Sequence, residues 1–229
     1  MVSENLKKIR VRIEAAAEKA SRKAADIQLI AVSKTVDPGR INEAIEAGIT
    51  IIGESRIQET QQKIEQIRPV ECHLIGHLQT NKAKYAVRLY DMIQSVDSYR
   101  IAEEIDKQCE KEDVNIPVLL EVNTSGEESK FGCMPEQTAE LADRISGLGH
   151  IRIKGLMTIG KFSDDPAQVR PCFVRLRNIS QQIARLNLSG VSMDILSMGM
   201  SSDFEWAIED GSTMVRIGSA IFGGRSYRQ

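Results

Sequence analysis

Residues 27–40, IQLIAVSKTVDPGR, carry an apolar, β-branched run straight into Ser33-Lys34-Thr35, and a turn signal built on Pro38 and Gly39 follows. A short apolar run closed by such residues reads as a buried strand. Lysine is among the residues least often buried, so Lys34 at the end of this strand asks for a reason. The turn is not G-x-G-x-x-G, which weighs against an open dinucleotide-binding sheet.

The same unit recurs along the chain. Strand-like runs occupy residues 27–34, 49–54, 70–76, 92–97, 116–123, 151–159, 192–199 and 213–223. Helical segments separate them. In residues 98–113, Ile101, Ile105 and Cys109 share one face, and beyond Pro171 so do Phe173, Leu176, Ile183 and Leu186. Strands apolar on both faces and alternating with helices predict a parallel sheet covered by helices. Eight units in one chain predict a (β/α)₈ barrel spanning residues 1–229 as a single domain, with a doubly wound open sheet as the alternative. Leu6, Ile9, Ile13, Ala16 and Ala20 recur at helical spacing, so an extra amphipathic helix over residues 3–23 precedes the first strand.

Composition narrows the function. Of 229 residues, 41% are hydrophobic, and 30 basic residues nearly cancel 32 acidic ones without forming blocks. Neither nucleic acid nor an anionic membrane has an electrostatic footprint here. Cys72, Cys109, Cys133 and Cys172 are scattered, as expected of reduced thiols. The N-terminus lacks a signal-like core, and a cytoplasmic chain is expected.

In such a barrel, chemistry gathers at the C-terminal ends of the strands. Lys34, Glu54, His77, Asn123, Thr158 and Arg216 fall there. In LSMGMSSDFE (196–205), Gly199 permits a tight turn, and Ser202 with Glu205 reads as a capping box at a helix start. Free N–H groups there, with the hydroxyls of Ser197 and Ser201, suit a phosphate, and Gly218-Ser219 supplies a second half. Lys34 then has two readings. It is a snorkelling lysine with its head in water, or an amine that forms a Schiff base with a phosphorylated aldehyde such as pyridoxal 5′-phosphate. An aldolase of phosphorylated sugars would also use a barrel lysine, but no matching acid–base set is evident.

AVSKT, GESRIQE, HLIGHLQTNK, VNTSGEESKFG, GLMTIG and SMGMSSDFEWAIEDGSTMVRIGSAIFG occur in this order between about residues 27 and 224. Together they resemble the pyridoxal phosphate homeostasis protein family, relatives of the alanine racemase N-terminal barrel. The resemblance implies that Lys34 binds pyridoxal 5′-phosphate as a Schiff base. It implies a phosphate site walled by Ser197, Met198, Gly199 and Ser201 on one side and by Gly218 and Ser219 on the other. Arg216 would then face the pyridine nitrogen, and a permanent cation there makes the ring a poor electron sink. Two positions depart from the family's commonest pattern: Ser55, where many relatives have asparagine, and Cys72, where an aromatic residue is common.

Racemases pair their lysine with a tyrosine from a second domain. The chain stops shortly after the eighth strand, and Tyr85, Tyr90, Tyr99 and Tyr227 offer no evident replacement. The expectation is a monomeric carrier or regulator in vitamin B6 homeostasis without robust turnover, passing the cofactor to dependent apoenzymes or amino acids. The rival is a weak amino-acid racemase or lyase. His73 and His77 lie on a strand and its turn, which does not make a metal pair. Lys82 and Lys84 read as a solvated helical turn or an anion contact, and residues 123–132 as a lid or a long surface loop with Gly126 and Gly132 as hinges. Met157, Met193, Met198 and Met200 read as barrel filling.

Overall fold

The computed structural model describes residues 1–224. Within them, eight parallel strands close into a barrel in chain order: β1 (Gln28–Val32), β2 (Ile51–Glu54), β3 (Glu71–Leu74), β4 (Met92–Val96), β5 (Ile116–Glu121), β6 (Ile151–Met157), β7 (Val191–Ser197) and β8 (Met214–Ile217). β8 returns to β1 with Ile30 opposite Arg216, which closes the ring. Helices α1 (Val2–Lys19), α2 (Pro38–Glu46), α3 (Ile57–Lys63), α4 (Ala83–Leu89), α5 (Tyr99–Glu112), α6 (Thr138–Ser146), α7 (Pro166–Ala184), α8 (Phe204–Glu209) and α9 (Ser219–Phe222) accompany the strands. This is the (β/α)₈ barrel with an added N-terminal helix that the repeat predicts. None of these helices is long and apolar enough to cross a membrane.

The two-faced apolarity of the strands has a direct cause. Successive side chains alternate between the barrel interior and the helical shell. Ile30 packs inward with Ile51 and Met214, while its neighbour Ala31 joins the outer core with Ile41 of α2 and Ile52 of β2. Met92, Leu119 and Met157 form a second inner cluster, and Ile195 touches both. Above this apolar floor the interior turns polar, with buried His73, Gln94, Ser197 and Arg216. Gly155 permits a close strand approach: at φ +153°, a Cβ there would stand 1.8 Å from the carbonyl oxygen of Ile195.

The turn after Lys34 starts α2 in the manner its residues dictate. Asp37 accepts from the N–H of Gly39 at 2.8 Å, and Pro38 occupies the first turn, where its missing N–H costs nothing.

Four local expectations are corrected. The strand expected over 213–223 ends at Ile217, and Ser219–Phe222 coil into α9, because an apolar run alone does not separate strand from helix. α7 begins at Pro166, capped by Asp165, with Pro171 inside it and Leu186 exposed beyond its end. α1 stops at Lys19, four residues before the predicted end. The Ser202–Glu205 capping box does not form: Asp203 is the N-cap residue, and Glu205 instead takes a bidentate contact from Arg12 of α1 at 2.9 and 2.8 Å.

Candidate cofactor site

Lys34 lies just past β1, in a turn whose next residue, Thr35, has φ +62°. That turn is held from below. Lys63 of α3 donates to the carbonyl oxygen of Ser33 at 2.9 Å and pairs with Glu54 at 2.7 Å and Glu59 at 2.8 Å. Glu59 also accepts from the N–H of Thr35, and Ser33 Oγ donates to Glu54. Burial raises the Glu54 carboxyl above its usual range despite Lys63, and its Oε2 is buried without a partner. Burial also opposes ionisation of Glu59, but the bonds from Lys63 and Thr35 outweigh it and hold that carboxyl low. Charges on β2 and α3 thus fix the backbone on both sides of Lys34.

Arg216 stands inside the barrel on β8, 4% exposed. Its Nη1 donates to Ser197 Oγ at 2.7 Å and its Nη2 to the carbonyl oxygen of Thr158 at 2.8 Å. Burial lowers its pKa to about 10 against the opposing pull of Glu121 and Asp203, so it remains a cation at neutral pH. The chain of bonds continues across the barrel. Ser197 donates to Gln94 at 2.7 Å, the Gln94 amide donates to His73 Nδ1 at 2.8 Å, and His73 Nε2 meets Glu71 at 2.7 Å. Each member donates to the next, which assigns the His73 proton to Nε2. Burial lowers the His73 pKa, partly offset by Glu71, and keeps the ring neutral.

Above Arg216 lies a cleft of ≈ 1080 Å³ at the C-terminal mouth, lined by Lys34, Glu121, Ser201, Arg216, Gly218 and Ser219 among others. Phe131, Ile159 and Phe162 form an apolar rim. Phe131 stacks on His77 with ring centroids 3.9 Å apart, and Lys130 donates to Gly160 O at 2.8 Å, so the loop after β5 is tied to its neighbours.

The candidate residues divide into two groups. Lys34, Ser201, Arg216, Gly218 and Ser219 share the cleft. Ser197, Met198 and Gly199 lie beneath it: Ser197 serves Arg216, Met198 is fully buried, and the carbonyl of Gly199 accepts from Arg216 N–H. Gly199 is needed for the turn itself, at φ +96°, where a Cβ would come within 2.6 Å of Ala207. Met157 fills the inner core, Met198 and Met193 the outer one, while Met200 lines the cleft. Tyr227 lies outside the described residues.

Three functional features escape sequence reasoning. Glu121 ends β5 and faces Arg216; burial and the charge of Asp97 raise its pKa to about 7, with Arg216 opposing. Gln94 and Lys63 read in sequence as one strand residue and one helix residue. Only the inward alternation of β4 hints that Gln94 is polar where filling would be expected.

The mouth has the donor set that pyridoxal phosphate requires. Among the described residues, the N–H groups of Ser201, Gly218 and Ser219 have no backbone acceptor, and the hydroxyls of Ser201 and Ser219 lie beside them. Such converging donors suit a phosphate. An amine and a buried guanidinium in the same cleft suit an aldehyde-bearing, nitrogen-containing ring.

Fold and mouth together define a barrel of the alanine racemase type. A family model described as "Alanine racemase, N-terminal domain" matches residues 5–226. The pyridoxal phosphate homeostasis protein of Aquifex aeolicus is 42% identical over 98% of both chains, and that of Escherichia coli is 38% identical over 99% of this chain and 97% of its own. The chain belongs to the pyridoxal phosphate homeostasis protein family. Among solved structures, PipY of Synechococcus elongatus with PLP bound superposes with a TM-score of 0.84 at 30% identity, covering 97% of this chain and all of that one. An alanine racemase of Clostridium difficile shares the fold alone, at 15% identity and a TM-score of 0.75, with 99% of this chain matching 56% of that one.

Proposed function

We propose that this protein binds pyridoxal 5′-phosphate at the barrel mouth through Lys34 and serves the intracellular homeostasis of that cofactor, holding it without robust turnover. The observation that carries this reading is the meeting of Lys34, Arg216 and the Ser201/Gly218/Ser219 donors in one cleft. When bound, the cofactor supplies an electrophilic aldehyde carbon and an anionic phosphate. Lys34 provides the amine for the carbon, and the N–H and hydroxyl groups of Ser201, Gly218 and Ser219 take the phosphate. Arg216, still charged well above neutral pH, donates to the ring nitrogen without giving up a proton. A ring nitrogen left unprotonated draws electrons weakly, which disfavours carbanion chemistry.

The carrier reading gains support from the tyrosines. Tyr90 is buried against Thr60, Tyr99 lies under Arg144 and Tyr85 under Lys82 and Lys84, and among the described residues none lines the cleft. A two-base racemisation of the racemase pattern would need a tyrosine opposite Lys34. We read the protein as a cytoplasmic monomer whose open cleft allows transfer to dependent apoenzymes or to amino acids.

Visible absorption tests the assignment. The purified protein shows the band of lysine-bound pyridoxal phosphate, and Lys34→Ala loses it; an unchanged band sinks the role of Lys34. Exchange of the α-hydrogen of alanine for deuterium at enzymatic rates would overturn the carrier reading.

A further inference from the structure

A second lobe opens beside Lys34. Its volume is ≈ 730 Å³, and it lies between the loops that follow β2 and β3, with Arg56, Gln58, His77, Gln79 and Lys82 on its walls. Lys34, Thr35 and His77 line both this lobe and the cleft described above, so the two spaces adjoin.

Its charges do not balance. Among the described residues, Glu59 is the one acid on its walls, and that carboxylate is already engaged by Lys63 at 2.8 Å and by the N–H of Thr35. Arg56 lies near enough to Glu59 for its charge to help hold that carboxyl low, but among the described residues neither Arg56 nor Lys82 is held in a close ion pair. Lys82 is half-buried, with its ammonium 5.7 Å from the centre of the Tyr85 ring. A concave surface carrying more cations than acids concentrates anions.

The chemistry of the walls selects the anion. A dianionic phosphate is best met by converging backbone N–H groups around an open glycine turn. The glycine on this wall, Gly76, makes no open turn of that kind, since a Cβ there would stand 2.4 Å from the carbonyl oxygen of Ser55. The donors are side chains instead, a planar guanidinium fork, a point ammonium and two amides, and the fork matches a carboxylate.

We infer that this lobe is a subsite for the carboxylate of a small molecule held next to Lys34, with Arg56 and Lys82 as the binding residues. The inference rests on the proposed function only for what occupies the neighbouring cleft; carboxylate binding itself needs no cofactor.

Calorimetric titration with malonate tests it on the full chain. The wild type binds malonate saturably, and the Arg56→Gln/Lys82→Gln protein binds it at least about tenfold more weakly, the loss expected for one charge-assisted hydrogen bond. Lys34→Ala retains the binding. The double variant keeps the visible band of the cofactor at Lys34, which demonstrates its fold and separates failure of this subsite from failure of the cofactor assignment. Absence of saturable malonate binding, or equal affinity in wild type and double variant, overturns the subsite. Inorganic phosphate binding more tightly than malonate through the same two residues overturns the carboxylate assignment.

Discussion

At the scale of the residue, the mouth of the barrel is governed by what surrounds a few buried polar groups. Glu121 is 5% exposed, and its pKa is raised from 4.5 to about 7. The sign of its effect follows. Between these two values the unfolded carboxyl is ionised and the folded one keeps its proton, so stability falls as pH rises through that window and levels off above about 7. Glu121→Gln cannot ionise. In denaturant titrations it should therefore gain on the wild type from pH 5 to 8, by up to about 3 kcal/mol, since each tenfold change in acidity is worth about 1.4 kcal/mol; parallel pH profiles would contradict the raised value. The Arg216–Ser197–Gln94–His73 chain makes a second prediction. Gln94→Leu strands the Ser197 hydroxyl and His73 Nδ1 in the barrel interior, and each orphaned group costs about 1–3 kcal/mol, a loss that the same denaturant titrations would read. Lys34 and Arg216 were legible from strand ends and motifs, because their chemistry is unusual for their positions. Ser197 was legible only as a member of the mouth, since no spacing rule distinguishes a hydroxyl aimed at a ligand from one aimed at a neighbouring arginine.

At the scale of the element, α1 is the feature that a minimal barrel does not require, and its contacts give it a purpose. Leu6, Ile9 and Ile13 face the outer core, as the periodicity predicts, while the polar side reaches the C-terminal helices α8 and α9. Asn5 donates to the carbonyl of Ile221 in α9, Arg12 grips Glu205 in α8, and Arg22, just beyond α1, donates to the carbonyls of Ile208 and Ser212. The two short helices flank the Ser201 and Ser219 donors, and helices of that length have little stability of their own. α1 therefore braces the Ser201 and Ser219 side of the mouth from outside. Leu6→Ala should cost about 2–5 kcal/mol of stability for a fully buried leucine. It should also weaken cofactor retention, measured as a faster loss of the visible band on dialysis; loss of stability with retention unchanged would show that α1 does not brace the site. The helix itself was plain in sequence. What it braces was not, because Glu205 had an equally good local use as a capping partner and only the tertiary approach of Arg12 decided between them.

At the scale of the whole molecule, the barrel closes with each element near its expected place, since alternation of strand and helix is a property of the chain as a whole and survives errors of a few residues at each boundary. The errors fell where local signals compete, as at Ser219–Phe222 and at the start of α7. The closed ring also joins the ends of the candidate site: β1, which leads into Lys34, and β8, bearing Arg216, are far apart in sequence yet paired in the sheet. A ligand that binds Lys34 together with the donors that follow β8 therefore bridges the seam where the first and last strands meet. Its combined contacts exist only in the folded chain, so it binds that state more tightly than the unfolded one and stabilises the whole barrel. At a free cofactor concentration of about 100 times Kd the gain is about 2.7 kcal/mol. For a domain of this size that corresponds to a rise in Tm of roughly 5–11 °C. Differential scanning calorimetry of the protein with and without pyridoxal phosphate should show that rise, with a larger one at higher cofactor concentration. Lys34→Ala keeps the Ser201, Gly218 and Ser219 donors but loses the proposed attachment beside β1, so its Tm should rise by much less under the same conditions. An equal rise in both proteins would mean that the cofactor is held by one side of the seam alone.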